Sequence, residues 1–325
     1  MDGSKEIFER LFSGTLSEEE GRDFLISLYE KGETPAEIAA AAQTMREHSI
    51  KLDISDELRE RAIDIVGTGG DKSGTFNIST TVSLLLASLG CIVAKHGNRS
   101  ITSSSGSADV LEVLGVNLKL TPEQNATMLE KCGFCFMFAP EYHPAMKYVM
   151  PIRRSIPHRT IFNILGPLTN PAGVKKYLLG VFDESFIDPI AEAMLELDIT
   201  RAYVVSSRDK TDEISLCDDT DFAYIEAGKI SRGVIDPTTF GFKKVAKEEI
   251  LGGDAQHNAA IIRDIFNREE VGAKRDIVLL NAAFALFVEG KAKDIKHGIE
   301  LAKSAIEDGR ATAHLARIIA LSNSL

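Results

Sequence analysis

Residues 67–80, GTGGDKSGTFNIST, gather four glycines, five hydroxyl side chains, one asparagine and one carboxylate between two apolar runs. Glycines let a backbone approach a ligand closely, and hydroxyls suit a ligand rich in oxygen. Spacing excludes two familiar phosphate loops. A P-loop needs GK[ST], which does not occur. A dinucleotide fingerprint begun at Gly67 and Gly69 needs a sixth-position glycine, where Lys72 stands. What remains is a strand at residues 63–66, a glycine turn, and a helix entered through Asn77, Ser79 and Thr80. Unpaired N–H groups and the positive dipole end make such a helix start an anion site. A mobile surface turn is the plain alternative.

Other stretches carry compatible chemistry. The strand CIVAK delivers Lys95-His96-Gly97-Asn98-Arg99-Ser100 to the carboxyl edge where open α/β sheets bind ligands. Lys95 is a point charge for phosphate, and Asn98 offers both a donor and an acceptor. His96 is either a satisfied structural histidine or a site residue. TSSSGSAD, just before a helix, reads as a second hydroxyl-lined anion nest. Asp212-Glu213 follows another strand, RAYVVSS. Adjacent carboxylates are often merely solvated, yet beside phosphate loops they form a natural magnesium ligand set; both readings stand. Residues 142–171 hold His143, Arg153, Arg154, His158 and Arg159, and arginine suits bidentate grip of a planar carboxylate. LGPLTNP within them reads as a rigid loop, neither strand nor helix. Cys132 and Cys135 have CxxC spacing, but no second pair completes a zinc set, so structural cysteines are expected.

These residues need a scaffold, and 325 residues hold one large or two modest domains. The first sixty residues read as helical, with capping boxes at Ser17–Glu20 and Thr34–Glu37, the second with Pro35 at the first helical position. From residue 62, strands alternate with helices: IDIV, CIVAK, VNLKL, FCFMFA, KKYLLGVF, RAYVVSS and DFAYIE supply the strands. That alternation predicts an α/β fold with a mostly parallel sheet covered by helices. Residues 254–323 return to helix, and residues 141–171 interrupt the rhythm as an irregular join. A net charge of −11 and pI near 5.2 argue against non-specific nucleic-acid binding. No apolar run approaches a membrane span, and the charged N-terminus lacks a signal core, so a cytoplasmic protein is expected.

Taken together, GTGGD, N-x-S-T, KHGNRS, SGSADVLEVLG, YHPAMK, RTIFNILGPLTNP, the Asp212-Glu213 pair and LLNAA at 279–283 resemble, in order and over nearly the whole chain, the anthranilate phosphoribosyltransferases. GTGGD alone is shared with pyrimidine nucleoside phosphorylases; KHGNRS with NILGPLTNP is far more specific. The resemblance implies transfer of phosphoribose from phosphoribosyl pyrophosphate to the amine of anthranilate, the second step of tryptophan synthesis from chorismate. It implies a small helical domain at 1–64, joined by helices from about 141–168, and an α/β domain at 65–140 and 169–325. A homodimer through the helical part is also implied.

By position, the resemblance places Gly67, Thr68, Gly69, Gly70, Asp71 and Thr75 around ribose and pyrophosphate. Asn77, Ser79, Thr80, Lys95 and Ser107 fall at phosphate and magnesium contacts. Ser79 with Glu213, and Asp212 with Glu213, correspond to two Mg²⁺ sites. Gly67, His96, Asn98, His143, Arg153 and Pro167 fall where anthranilate is held, Arg153 facing its carboxylate. The anthranilate amine is already neutral near pH 7, so no general acid or base is assigned among the seven histidines. The chain departs from the family at Ser104, where a basic residue is common, and at Lys72-Ser73, where a glycine is common. Competing readings are a pyrimidine nucleoside phosphorylase and a non-enzymatic nucleic-acid-binding relative, which should be basic.

Overall fold

The computed structural model describes residues 2–71, 73–100 and 105–325, so Lys72 and Ser104 lie outside the described residues. Three helices, Asp2–Phe12, Glu18–Lys31 and Pro35–Glu47, open the chain. Their starts are set locally. The hydroxyls of Ser17 and Thr34 accept from the N–H groups of Glu20 and Glu37, whose carboxylates accept in return. Phe8, Leu11, Phe12, Leu25 and Ile38 bury the seam between them. Met146–Arg154 packs against the first two helices through Val149 and Ile152, although it comes a hundred residues later in the chain.

The larger part is built on a seven-stranded sheet: β1 Ala62–Gly67, β2 Ile92–Gly97, β3 Phe134–Phe138, β4 Lys176–Gly180, β5 Arg201–Ser207, β6 Thr220–Glu226 and β7 Lys229–Ile235. The order is β3-β2-β1-β4-β5-β6-β7. The first five neighbours run parallel, and β6 and β7 add antiparallel at one edge. Helices Ile78–Ser88 and Ala273–Glu289, apolar nearly all round, pack on β1 and on each other. Burial on both faces is why β1, β2 and β4 read as continuous apolar runs. The fold is a small helical domain plus a larger α/β domain with a mostly parallel sheet.

Three local expectations need correction. VNLKL is no strand. Val116, Leu118 and Leu120 alternate inward as a strand would, but the extended segment bonds Ser322 and its own Asn117 side chain instead of a neighbouring strand. The edge strand β7 is absent from the sequence reading because its exposed, mostly polar face lacks an apolar signal; a tight turn at Ala227 and Gly228, both at positive φ, forms the hairpin. LGPLTNP is not loop: Phe162–Leu165 and Gly166–Thr169 are successive helical turns, the second a 3₁₀ turn. All four cysteines are free thiols, and Cys132 donates to the Met128 carbonyl at 3.1 Å. Among the described residues no helix is long and apolar enough to cross a membrane.

Candidate active site

Two glycines shape the crest of the sheet. Gly67 and Gly180 end β1 and β4 opposite each other. A Cβ on Gly180 would lie 1.6 Å from the Asp212 carbonyl oxygen, and one on Gly67 would lie 2.3 Å from Asp212 Oδ2. Only bare backbone at both positions lets the segment after β5 lie across the strand ends. Asp212 thereby reaches the glycine turn, its Oδ2 accepting the Gly69 N–H at 2.8 Å. Glu213 reaches the next element, its Oε1 accepting the Ser79 N–H at 3.1 Å in the first turn of Ile78–Ser88. Asn281 holds this arrangement from below: its amide bonds both the N–H and the carbonyl of Ile214 at 3.0 and 2.8 Å.

Among the described residues the rim so formed is short of positive charge. Asp71 stands against Asp212, whose N–H lies 3.5 Å from Asp71 Oδ2. Loss of solvation, and then the charge of Asp71, push the Asp212 carboxyl upward. Loss of solvation and the neighbouring Asp212 push Glu213 well above the carboxylate range. Lys95 is a cation that Glu213 faces, and it is 2% exposed, its Nζ donating to the Ile65 carbonyl at 2.6 Å. Burial lowers its pKa. Carboxylates that resist ionising for want of a counter-charge fit a hard divalent cation. Among the described residues no three His, Cys, Asp or Glu side chains form a metal cage of their own. Magnesium asks for none, since it keeps waters and substrate phosphates in its shell.

Beside the rim opens a cavity of about 530 Å³. Gly67, His96, Asn98, His143, Arg153 and Pro167 all line it, together with apolar Met45, Val66, Met150 and Phe162. Arg153 lies in the last turn of the helix Met146–Arg154, and among the described residues no carboxylate pairs with it; burial lowers its pKa. His96 and His143 meet Nε2 to Nε2 at 3.2 Å. His96 Nδ1 donates to the Gly166 carbonyl at 3.2 Å, which leaves its Nε2 as acceptor for His143. Burial lowers His96 to about 3 and His143 to about 4, so both imidazoles are neutral near pH 7. The cavity is therefore a largely apolar slot that carries the cations Lys147 and Arg153 and takes Gly67 and Thr68 of the glycine turn into its lining.

Residues 59–312 match the model of the glycosyl transferase family a/b domain, and residues 2–49 match that of its helical bundle domain. Anthranilate phosphoribosyltransferase of Ruminiclostridium cellulolyticum is 43% identical over 324 residues, spanning 100% of this chain and 94% of that protein. The chain belongs to the anthranilate phosphoribosyltransferase family. Among solved members of this family, the Thermus thermophilus enzyme superposes with a TM-score of 0.91 at 40% identity, over 98% of this chain and 94% of that one. The Saccharomyces cerevisiae enzyme in complex with PRPP and Mg gives 0.86 at 27% identity, over 95% and 86%.

Against this family background, the remaining sequence-predicted residues fall in three groups. Thr68 Oγ1 accepts the Phe182 N–H at 3.1 Å at the base of the turn, Gly70 is exposed, and Ser107 opens the helix Ser107–Leu114 with Oγ on the Asn98 carbonyl. Thr75 Oγ1 meets Ser73 Oγ at 3.1 Å. Thr80 and Lys95 point inward; the Thr80 hydroxyl is buried with no hydrogen-bond partner among the described residues. Of the arginine-rich stretch, only Arg153 lines the cavity. Arg159 pairs with Glu33 at 3.2 Å, its guanidinium lying over the rings of Tyr29 and Phe186, and His158 stacks on Tyr29.

Sequence reasoning missed Asp64 and Asn170. Asp64 is fully buried mid-strand in β1, where its Oδ2 accepts from Asn170 Nδ2 at 2.8 Å and from the His96 N–H at 3.4 Å. Asn170 also donates to the Ala94 carbonyl at 2.8 Å, so the pair anchors the turn that carries Pro167 to β1 and β2. A lone carboxylate inside an otherwise apolar strand is the available signal.

Proposed function

We propose that the protein transfers the phosphoribosyl group of 5-phosphoribosyl 1-pyrophosphate to the amine of anthranilate, giving N-(5-phosphoribosyl)anthranilate and pyrophosphate, the second step from chorismate toward tryptophan. One observation carries the reading: a slot lined by Arg153, which has no carboxylate partner among the described residues, shares Gly67 and Thr68 with a glycine turn ringed by cation-seeking carboxylates. The family relatives favour it over nucleoside phosphorolysis or nucleic-acid binding.

In this reading Arg153 takes the planar carboxylate in bidentate fashion, and Met45, Met150 and Phe162 face the ring. Asn98 and the neutral His96–His143 pair orient the amine toward C1. The nitrogen needs no base to become nucleophilic, so positioning accounts for most of its contribution. As the C1–O bond lengthens, the positive dipole end of Ile78–Ser88 and the glycine turn face the negative charge of the pyrophosphate. Ser79, Asp212 and Glu213 would hold Mg²⁺, as two ions, which when bound adds positive charge at the leaving group. Closing of the two domains excludes water from the activated sugar.

Further parts of the reading concern organisation. The domain limits are 1–64 with 141–168, and 65–140 with 169–325, supported by the packing of Met146–Arg154 on the N-terminal helices. A homodimer forms through the helical domain, where Tyr29, Ile50 and Tyr148 are exposed. A cytoplasmic location suits four cysteines that remain reduced. The test follows anthranilate fluorescence with phosphoribosyl pyrophosphate, with and without Mg²⁺. Loss of signal only when both are present supports the reading; no loss with both refutes it.

A further inference from the structure

Asn258 lies on the helix Ala255–Phe266, 181 residues from Asn77 in sequence, and is 1% exposed. Its side chain is read from one unambiguous end. Oδ1 accepts the backbone N–H of Gly253 at 2.8 Å, so Nδ2 must be the group that faces Asn77 Oδ1 at 2.9 Å. Asn77 stands at the start of Ile78–Ser88 but makes no side-chain cap. Instead its Oδ1 takes a second hydrogen bond from Ser105 Oγ at 3.2 Å, and its Nδ2 donates to the Ser105 carbonyl at 3.2 Å. An amide oxygen has two lone pairs and an amide nitrogen two protons. The Ser105 hydroxyl can also turn to the Gly106 carbonyl at 3.4 Å, but the Asn258 and Ser105 carbonyl bonds fix which way the amide faces, and among the described residues one Asn77 N–H is left to donate.

We propose that Asn258 is a positioning residue that locks the Asn77 amide as a hydrogen-bond donor toward the phosphoryl oxygens of the sugar diphosphate. The inference rests on the proposed function, in which Asn77 contacts that substrate. With the amide flipped, Asn77 would turn a carbonyl oxygen toward an anion and set two NH₂ groups against each other. The strap before Asn258 also fixes the turn itself: the Gly252 N–H donates to the Gly74 carbonyl at 2.9 Å, and Leu251 pairs with Thr75. Gly253, Asn258 and Asn77 thus form a relay of orientation that starts at a backbone N–H and ends at the ligand.

The test is calorimetric binding of phosphoribosyl pyrophosphate with Mg²⁺ to the full chain, alongside the KM for anthranilate. Asn258→Ala and Asn77→Ala should each weaken binding about tenfold or more, as loss of a hydrogen bond to a charged group does. The double variant should be no worse than about threefold beyond the weaker single, because the two act as one. Asn258→Asp keeps the acceptor for Gly253 but cannot donate. It buries a carboxyl and should lower thermal stability, but it should also turn Asn77 around and weaken binding at least as much as Asn258→Ala. Anthranilate KM should hold in all of them. Losses that multiply in the double variant, or wild-type binding by Asn258→Asp while Asn77→Ala is impaired, would overturn the inference and leave the functional reading intact. Wild-type protein that binds no phosphoribosyl pyrophosphate, or Asn77→Ala that binds it normally, would sink the reading and this inference with it.

Discussion

Glu213 caps a helix through Ser79, a residue 134 positions before it in the chain: its Oε1 accepts the Ser79 N–H at 3.1 Å, at the positive end of Ile78–Ser88. Capping and charge can be separated here. Glu213→Gln keeps an oxygen for Ser79 but removes the anion. Activity should fall by roughly 10²–10³, the scale for losing one preorganised electrostatic group, and the Mg²⁺ needed for half-activity should rise. Thermal stability without Mg²⁺ should hold or increase, since a carboxyl pushed above its usual range by its surroundings is no longer there. A Mg²⁺ titration of rate, paired with a melting curve, reads both signs; unchanged Mg²⁺ dependence would remove Glu213 from the metal site.

Arg153 lines the slot with no carboxylate partner among the described residues. Arg153→Ala should raise the apparent KM for anthranilate by about 10–100-fold, in line with loss of a charged hydrogen bond worth roughly 1.5–3 kcal/mol. The KM for the sugar donor should change far less. Equal shifts in both constants would refute the assignment.

Gly180 has no ligand-facing role of its own, yet a methyl group there would collide with the Asp212 carbonyl. Gly180→Ala should lift the 208–216 segment from the crest, with a stability loss of about 1–3 kcal/mol from overpacking. Activity should suffer out of proportion to that loss, and added Mg²⁺ should restore part of it. A variant with wild-type rates would mean that Asp212 need not lie over β1 and β4.

Asp64 provides a pH signature. Burial raises its folded pKa to about 6, opposed by Lys95. A raised carboxyl contributes its full stability below the unfolded pKa and loses it as pH rises through the folded one. The unfolding free energy of wild type minus that of Asp64→Asn should therefore fall between about pH 4 and pH 6 and then level off. His96 and His143, whose depressed values act in the opposite direction, are present in both proteins and cancel in the difference. Chemical denaturation at half-unit pH steps measures it; a flat difference would mean that Asp64 is not desolvated.

Much of this protein is local in origin and was legible as such. The capping boxes at Ser17 and Thr34, the strand–turn–helix at 62–88 and the crossover rhythm of β1 to β5 depend on neighbours a few residues away, and those residues stand adjacent in the chain. The chemistry of the parts was legible too, because glycine, hydroxyl and carboxylate have the same valences wherever they stand. Tertiary structure alone decided how the parts face one another. Whether Asp212 and Glu213 are solvated or serve the glycine turn depends on two small residues that let one loop cross two strands. Whether Lys95 reaches outward or lies inside depends on Asp64 and the Ile65 carbonyl beneath it. And whether the Asn77 amide offers oxygen or nitrogen depends on Asn258, since a side-chain amide has no preferred face until a distant partner supplies one.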